Sequence, residues 1–281
     1  MYTLNCNGRL LAVTQPVVMG IINLTTDSFY AESRNLQTAG AVATAKEMIA
    51  QGATLLDLGA QSTRPGAERL TAATEISRLL PVVQAIREAL PEAYLSIDTF
   101  YAETARACVE NGADLVNDIT GGHFDQEMLP AVAGLKVPFC CMHMKGMPDT
   151  MQELAVYTDV TREVMDYCIE RIGACTQAGI HDLILDPGFG FAKTIRQNLE
   201  LLNKMETLQL LGKPLLAGLS RKSTVYKTLG ITAAEALNGT TVLNTIALQK
   251  GAGILRVHDV KEAMEAIRLV QALAEADRQP V

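Results

Sequence analysis

The stretch LSIDTFYAETARACVENGADLVND, residues 95–118, decides the fold. It opens on a short apolar run, Leu95 to Asp98, that ends in a carboxylate. A helix-period segment follows from Ala102 to Asn111, with apolar residues three and four apart, and a second apolar run, Leu115 to Asp118, closes the unit. Apolar strands this short, separated by a helix, imply parallel pairing with both faces buried. Gly112 stands between helix and strand, where a left-handed C-terminal cap is needed.

The same unit recurs along the chain. Further apolar runs ending in polar residues or glycine lie at Val17 to Asn23, Leu55 to Gly59, Phe139 to His143, Leu183 to Asp186, Leu215 to Gly218 and Ile254 to His258. Helical periodicity fills the intervals, near Thr38 to Gln51, Ala72 to Ala89, Gln126 to Ala133, Val160 to Ala178, Ile195 to Met205, Ala233 to Lys250 and Val260 to Ala274. Gly52, Gly179 and Gly251 repeat the capping role of Gly112. Eight strands predict closure into an α/β (β/α)8 TIM barrel, and no G-x-G-x-x-G turn follows the first strand to suggest a doubly wound sheet. The 281 residues suit one such domain over 1–281, with a frayed tail expected at 275–281. Long polar connections follow the strands at Thr25 to Gln37, Ala60 to Leu70 and Met144 to Asp159, whereas the returns are mostly short. The chemistry is therefore expected where the strands end.

Composition narrows the partners. A formal net charge of -7 gives no general attraction for nucleic acid or an anionic membrane, so an anionic ligand must be held by a local basic cluster. No segment is long and apolar enough to span a bilayer, and the N-terminus lacks a secretory pattern. The six cysteines show no C-x-x-C spacing and several sit in apolar runs, which favours a reducing, cytoplasmic setting.

The strand ends carry the candidate chemistry. Asn23 offers a neutral oxygen that could complete a magnesium shell shared with a phosphorylated substrate, or cap its own loop. Asp57 is a carboxylate within an apolar strand and must find a partner. In the loop after it, Thr63 and Arg64 precede a Pro-Gly turn and could clamp an anion, although such an arginine is commonly just solvated. Asp98, Asn117 with Asp118, and Asp186 end three further strands. Together they are poor core residues but a good lining for a flat heterocycle with several N–H donors; singly, each could cap a helix. Phe191, in the turn Pro187 to Lys193, could wall an aromatic substrate, and Met142 could floor the same pocket, with core packing the alternative for both. Gly218 leads into Ser220, Arg221 and Lys222, and the last strand ends at Arg256 and His258. These two strands bring basic groups to adjacent points of the rim, where such barrels commonly hold phosphate.

The anchors VMGIINLTTDSF, DLGAQSTRPGA, SIDTF, VNDITGG, LILDPGFGF, GLSRKS and RVHDV occur in an order and spacing by which the chain resembles the dihydropteroate synthases of the pterin-binding barrel family. The resemblance runs over nearly the whole length. It implies joining of (7,8-dihydropterin-6-yl)methyl diphosphate to 4-aminobenzoate, giving 7,8-dihydropteroate and diphosphate in folate biosynthesis, with Mg2+ as cofactor. It implies that Asp98, Asn117, Asp186 and Lys222 hold the pterin with Asp57 close by. Asn23 would coordinate magnesium, Thr63, Arg64, Arg256 and His258 would contact the diphosphate, and Ser220, Arg221 and Phe191 would border the aminobenzoate. Asp57, Asp98, Lys222 and Arg256 are the catalytic candidates. Sulfonamides are expected as competitive inhibitors and a homodimer as the assembly. Thr26 stands where the family pattern has proline and Gln61 where it has an acid, so the departures fall in the first two loops. A methyltransferase using methyl-tetrahydrofolate shares the barrel and the pterin carboxylates, but would not need the Ser-Arg-Lys and Arg-x-His rim.

Overall fold

A computed structural model describes residues 2–24, 31–61, 69–147, 150–151 and 153–276. The chain begins with a hairpin, β1 (Tyr2–Cys6) and β2 (Arg9–Val13), paired antiparallel through Cys6 and Arg9. Its two-residue turn is Asn7-Gly8, with φ of 53° and 84°. Positive φ at both central positions matches the twist of the flanking strands, and Asn-Gly tolerates it best.

Eight parallel strands then form a closed barrel: β3 (Val17–Asn23), β4 (Leu55–Gly59), β5 (Tyr94–Asp98), β6 (Leu115–Asp118), β7 (Phe139–Met142), β8 (Leu183–Asp186), β9 (Leu215–Ala217) and β10 (Ala252–Val257), with β10 closing on β3. The helices around it are α1 (Ala31–Gln51), α2 (Ala72–Ala89), α3 (Ala102–Glu110), α4 (Met128–Leu135), α5 (Val160–Ala178), α6 (Ile195–Asn203), α7 (Ser223–Leu229), α8 (Leu237–Gln249) and α9 (Val260–Ala276). The expected barrel is present. It differs from the sequence reading in the added hairpin, in the short α7, whose seven residues are too few to show a helical period, and in α9, which carries helix to Ala276 where a frayed tail was expected from 275. Residues 277–281 lie outside the described set.

Local chemistry starts and stops these helices. Asp159 caps α5 by accepting from the amides of Thr161 and Arg162 at 3.0 Å each, and Gly179 ends that helix at φ 91°. Thr194 and Gln197 form a reciprocal capping box at the start of α6.

The two-residue period of each strand sorts the barrel interior into layers. Leu55, Leu115, Cys140, Ile184, Leu216 and Ile254 are buried together near the strands' N-terminal ends, and the hairpin's Leu4, Cys6, Leu11 and Val13 join the same apolar cluster. The hairpin therefore plugs that mouth of the barrel. Two residues further along four of these strands the inward positions turn polar, at Asp57, Asn117, Asp186 and Arg256, while Met142 and Gly218 hold the same height on β7 and just past β9. The apolar floor fixes the height at which they stand.

A buried ion cluster ties the plug to the barrel. Asp114, 3% exposed, accepts from Arg9 Nη2 at 2.8 Å, from Arg87 Nη2 at 2.5 Å and from the Leu95 amide at 2.7 Å. Removing one partner from a buried network leaves the remaining charges uncompensated. Asp114→Ala is expected to lower unfolding free energy by about 3–5 kcal/mol in denaturant titrations. A loss under 1 kcal/mol would show that the cluster does not hold the plug.

Candidate active site

At the C-terminal end of the barrel, Arg256 projects from β10 between two carboxylates. Its Nε donates to Asp57 Oδ2 at 2.6 Å and its Nη2 to Asp98 Oδ2 at 2.7 Å. Asp57 is fully buried, and the same Oδ2 also accepts from Asn117 Nδ2 at 2.9 Å, whereas its Oδ1 has no hydrogen-bond partner. Burial lifts the Asp98 carboxyl well above the aspartate range, with the Arg256 guanidinium pulling it back and the charge on Asp57 pushing it further up. Gly59 lies beside Asp98 in the ladder, and a Cβ there would come 3.3 Å from Asp98 Cβ.

Asp186 and Lys222 form the second half of the site. Burial raises the Asp186 carboxyl and the Lys222 ammonium lowers it, while Asp186 Oδ1 accepts from the Gly188 amide at 2.7 Å. Lys222 donates to the Phe189 carbonyl at 2.5 Å and lies 4.7 Å from the centre of the Phe191 ring. Burial pulls its ammonium down to about 8. Gly218 lies against both groups: a Cβ on it would make ordinary contacts, 3.5 Å from Lys222 Nζ and 4.0 Å from Asp186 Oδ2. Met142 is buried with Phe100, Ile119, Met144, Met151 and Ala192 in an apolar cluster against which Phe191 packs. The site is thus apolar on the side of Phe191 and of Met142, which neighbours Asp186 in the ladder.

The rim residues divide. Ser220 Oγ lies 3.0 Å from His258 Nδ1 and accepts from the His258 amide at 3.2 Å. Desolvation, then the charge of Arg256, hold His258 below the usual histidine range. The Arg221 guanidinium is occupied by protein: it forks onto Asp259 through two 2.8 Å bonds and donates to the carbonyls of Ala233 and Ala234. Asn23 ends β3 with its side chain exposed. Thr63 and Arg64 lie outside the described residues. Asp118, read from sequence with Asn117 as a lining residue, does not line the pocket. It is the next residue on the strand, faces the other way and closes a turn by accepting from Thr120 and Gly122.

Three buried groups went unread in the sequence. Lys193 donates to His143 Nδ1, to the Gly188 carbonyl and to the Phe191 carbonyl at 2.9, 2.9 and 3.2 Å. Asn198 on α6 accepts from the Gly190 amide at 2.7 Å and donates to the carbonyls of Lys193 and Thr194. It shares the buried face with Leu201 and Leu202, so a polar residue at core spacing was the available signal. Glu75, fully buried on α2, accepts from Thr99 Oγ1 and steadies the segment just after Asp98.

The site can therefore present carboxylates and an amide to the N–H edge of a flat ring, with a lysine and an arginine beside it for negative charge. Comparison with known proteins agrees with that chemistry. Residues 19–258 match the model of a family described as pterin binding enzyme. The dihydropteroate synthase of Escherichia coli K12 is 43% identical over 271 residues, covering 96% of this chain and 95% of the relative. The solved Xanthomonas albilineans dihydropteroate synthase with 4-aminobenzoic acid superposes with a TM-score of 0.89 at 39% identity, covering 97% of this chain and 98% of the other. A Yersinia pestis dihydropteroate synthase in a sulfonamide drug complex gives a TM-score of 0.91 at 38% identity, covering 98% and 100%. A barrel, a carboxylate-lined pocket and a near-full-length sequence match thus converge: this chain belongs to the pterin-binding enzyme family and, within it, to the dihydropteroate synthases, transferases of folate synthesis.

Proposed function

We propose that the pocket takes (7,8-dihydropterin-6-yl)methyl diphosphate with the pterin between Asp98, Asn117, Asp186 and Lys222, and that 4-aminobenzoate enters beside Phe191 and Ser220. The observation that carries this reading is the Arg256 guanidinium held between Asp57 and Asp98, with Asn117 on the same Asp57 oxygen. Donors and acceptors alternate there across the barrel axis, as a ring with both N–H groups and bare nitrogens requires. The relatives solved with 4-aminobenzoic acid and with a sulfonamide support the second substrate and its competitive mimics.

The carbon–oxygen bond to diphosphate breaks first, with the bonding pair leaving on the diphosphate. The aniline nitrogen then attacks the pterin methylene carbon and releases its proton. Asp98 and Asp57 favour positive charge on the pterin as the bond breaks, and Arg256 and His258, with Thr63 and Arg64 from the second loop, meet the departing anion. Arg256 thus serves both the pterin carboxylates and the departing diphosphate.

Magnesium suits the donor set. Asn23 offers one hard, neutral oxygen at the open rim, and this ion commonly takes one or two protein ligands and completes its shell with phosphate oxygens and water. When bound, Mg2+ would neutralise charge on the diphosphate, and Asn23 would hold it. A homodimer is supported by exposed apolar side chains, Leu229, Val242, Leu269 and Leu273, on neighbouring helices α7, α8 and α9. A cytoplasmic setting is supported by six free, buried cysteines.

Diphosphate release from the pterin substrate, followed with and without 4-aminobenzoate and Mg2+, tests the order of steps. Slow release without the amine, as water captures the pterin cation, is expected. No release without the amine over many turnover times would rule out diphosphate loss as the first step.

A further inference from the structure

Lys193 is 3% exposed, and its three N–H donors meet three acceptors: His143 Nδ1 and the carbonyls of Gly188 and Phe191. Burial pulls the Lys193 ammonium down to about 7; in its charged form it donates to His143 Nδ1, which leaves the ring proton on Nε2. Burial, and then the charge of Lys193, hold the imidazole far below its ordinary range. Both carbonyls belong to the turn after β8 and flank Phe189, whose own carbonyl accepts from Lys222. Phe191 in turn presents its ring to the Lys222 ammonium. The turn is pressed against β7 as closely as backbone allows. Gly188 sits at φ 71°, and a Cβ there would come 1.9 Å from the His143 carbonyl oxygen. On the far side Asn198 holds the Gly190 amide and the Lys193 carbonyl. A cation is expensive to bury unless fully hydrogen bonded, and here every bond it makes goes to the turn or to the strand behind it.

We propose that Lys193 is a positioning residue for the transferase reaction: by clamping the Gly188 and Phe191 carbonyls to His143 it aims Lys222 and the Phe191 ring into the pocket, and so sets pterin affinity without touching the pterin. The proposal rests on the placement of Lys222 at the pterin.

A double-mutant cycle separates aiming from general support of the fold. Pterin-6-carboxylate is titrated calorimetrically into the wild-type protein, Lys193→Met, Lys222→Ala and the double variant, with melting temperatures recorded in parallel. Each single variant is expected to weaken binding about 10-fold, and the double variant to bind within about 3-fold of Lys222→Ala, because residues acting through one another are not additive. Losses that multiply in the double variant, or binding by Lys193→Met within about 2-fold of wild type, would overturn the proposal. Unchanged affinity in Lys222→Ala sinks the placement of Lys222 and this inference with it, whereas multiplying losses sink the inference alone. If Lys193→Met does not fold, Lys193→Gln carries the cycle with a smaller expected loss of about 3-fold, since an amide still donates to two of the three acceptors, and losses that multiply with Lys222→Ala would again overturn the proposal.

Discussion

Replacing Arg256 with methionine is expected to lower kcat/KM for the pterin diphosphate by about 10²–10³ and to destabilise the protein more at pH 8 than at pH 5. On the proposed placement, the activity loss follows from removing a side chain that bonds to both carboxylates and would face the developing anion. The stability loss has a separate cause. Asp57 and Asp98 are bonded to the same guanidinium, and Asp57 is fully buried, so without it two carboxylates face each other with no cation between them. Breaking a buried pair by removing one partner costs about 3–5 kcal/mol.

The pH dependence has a definite sign. Burial already lifts Asp98 from 3.8 to about 7, and losing Arg256 raises it further. A carboxyl whose folded pKa lies above its unfolded value favours the fold fully below about pH 4 and loses that contribution as pH rises through the folded value. The variant's deficit should therefore shrink as pH falls from 8 to 5, and Arg256→Met combined with Asp98→Asn should recover stability at pH 8. Equal deficits at the two pH values in urea titrations would contradict the carboxylate repulsion. Arg256→Lys keeps the charge but not the fork, and should fall between wild type and methionine in both readouts.

Much of this site is legible in the sequence because a strand's two-residue period carries it. Leu55 and Asp57, Leu115 and Asn117, Ile184 and Asp186, and Ile254 and Arg256 repeat one statement, an apolar floor and a polar residue above it. The same rule, applied strictly, would have turned Asp118 away from the pocket. Asn7-Gly8 between two short alternating runs also signals the hairpin, which stands outside the strand–helix repeat that fills the rest of the chain. What the sequence could not reveal is which polar groups consume one another. Arg221 and Arg256 look alike on adjacent strand ends, yet one is spent on Asp259 and two carbonyls of the turn before α8 while the other bridges Asp57 and Asp98. Lys193 reads as an ordinary loop cation until the fold brings His143, fifty positions away, against it.

Lys222 should set the alkaline limit of the reaction. Its ammonium is pulled from 10.5 down to about 8 by burial, against the opposing pull of Asp186, so the free protein loses this charge just above neutral pH. If the charge is needed to hold the pterin and steady Asp186, kcat/KM for the pterin diphosphate falls as pH rises through about 8, because that ratio reports ionisations of the free protein. Stability should move the other way. A lysine whose folded pKa is depressed binds its proton less tightly in the fold, so its contribution makes the protein more stable as pH rises from about 8 to 10.5. Activity and stability therefore diverge over one pH interval for one physical reason, the desolvation of a single ammonium. Lys222→Arg separates this from an ionisation of the substrate: guanidinium does not titrate in the range, so the alkaline limb should disappear even though the larger planar group lowers the plateau. Lys222→Met should lower the plateau by about 10²–10³ and deprive Asp186 of the cation that lowers its carboxyl most, while also removing the limb. A limb that stays at the same pH in Lys222→Arg would assign the titration to the substrate and remove Lys222 from the pH control of the reaction.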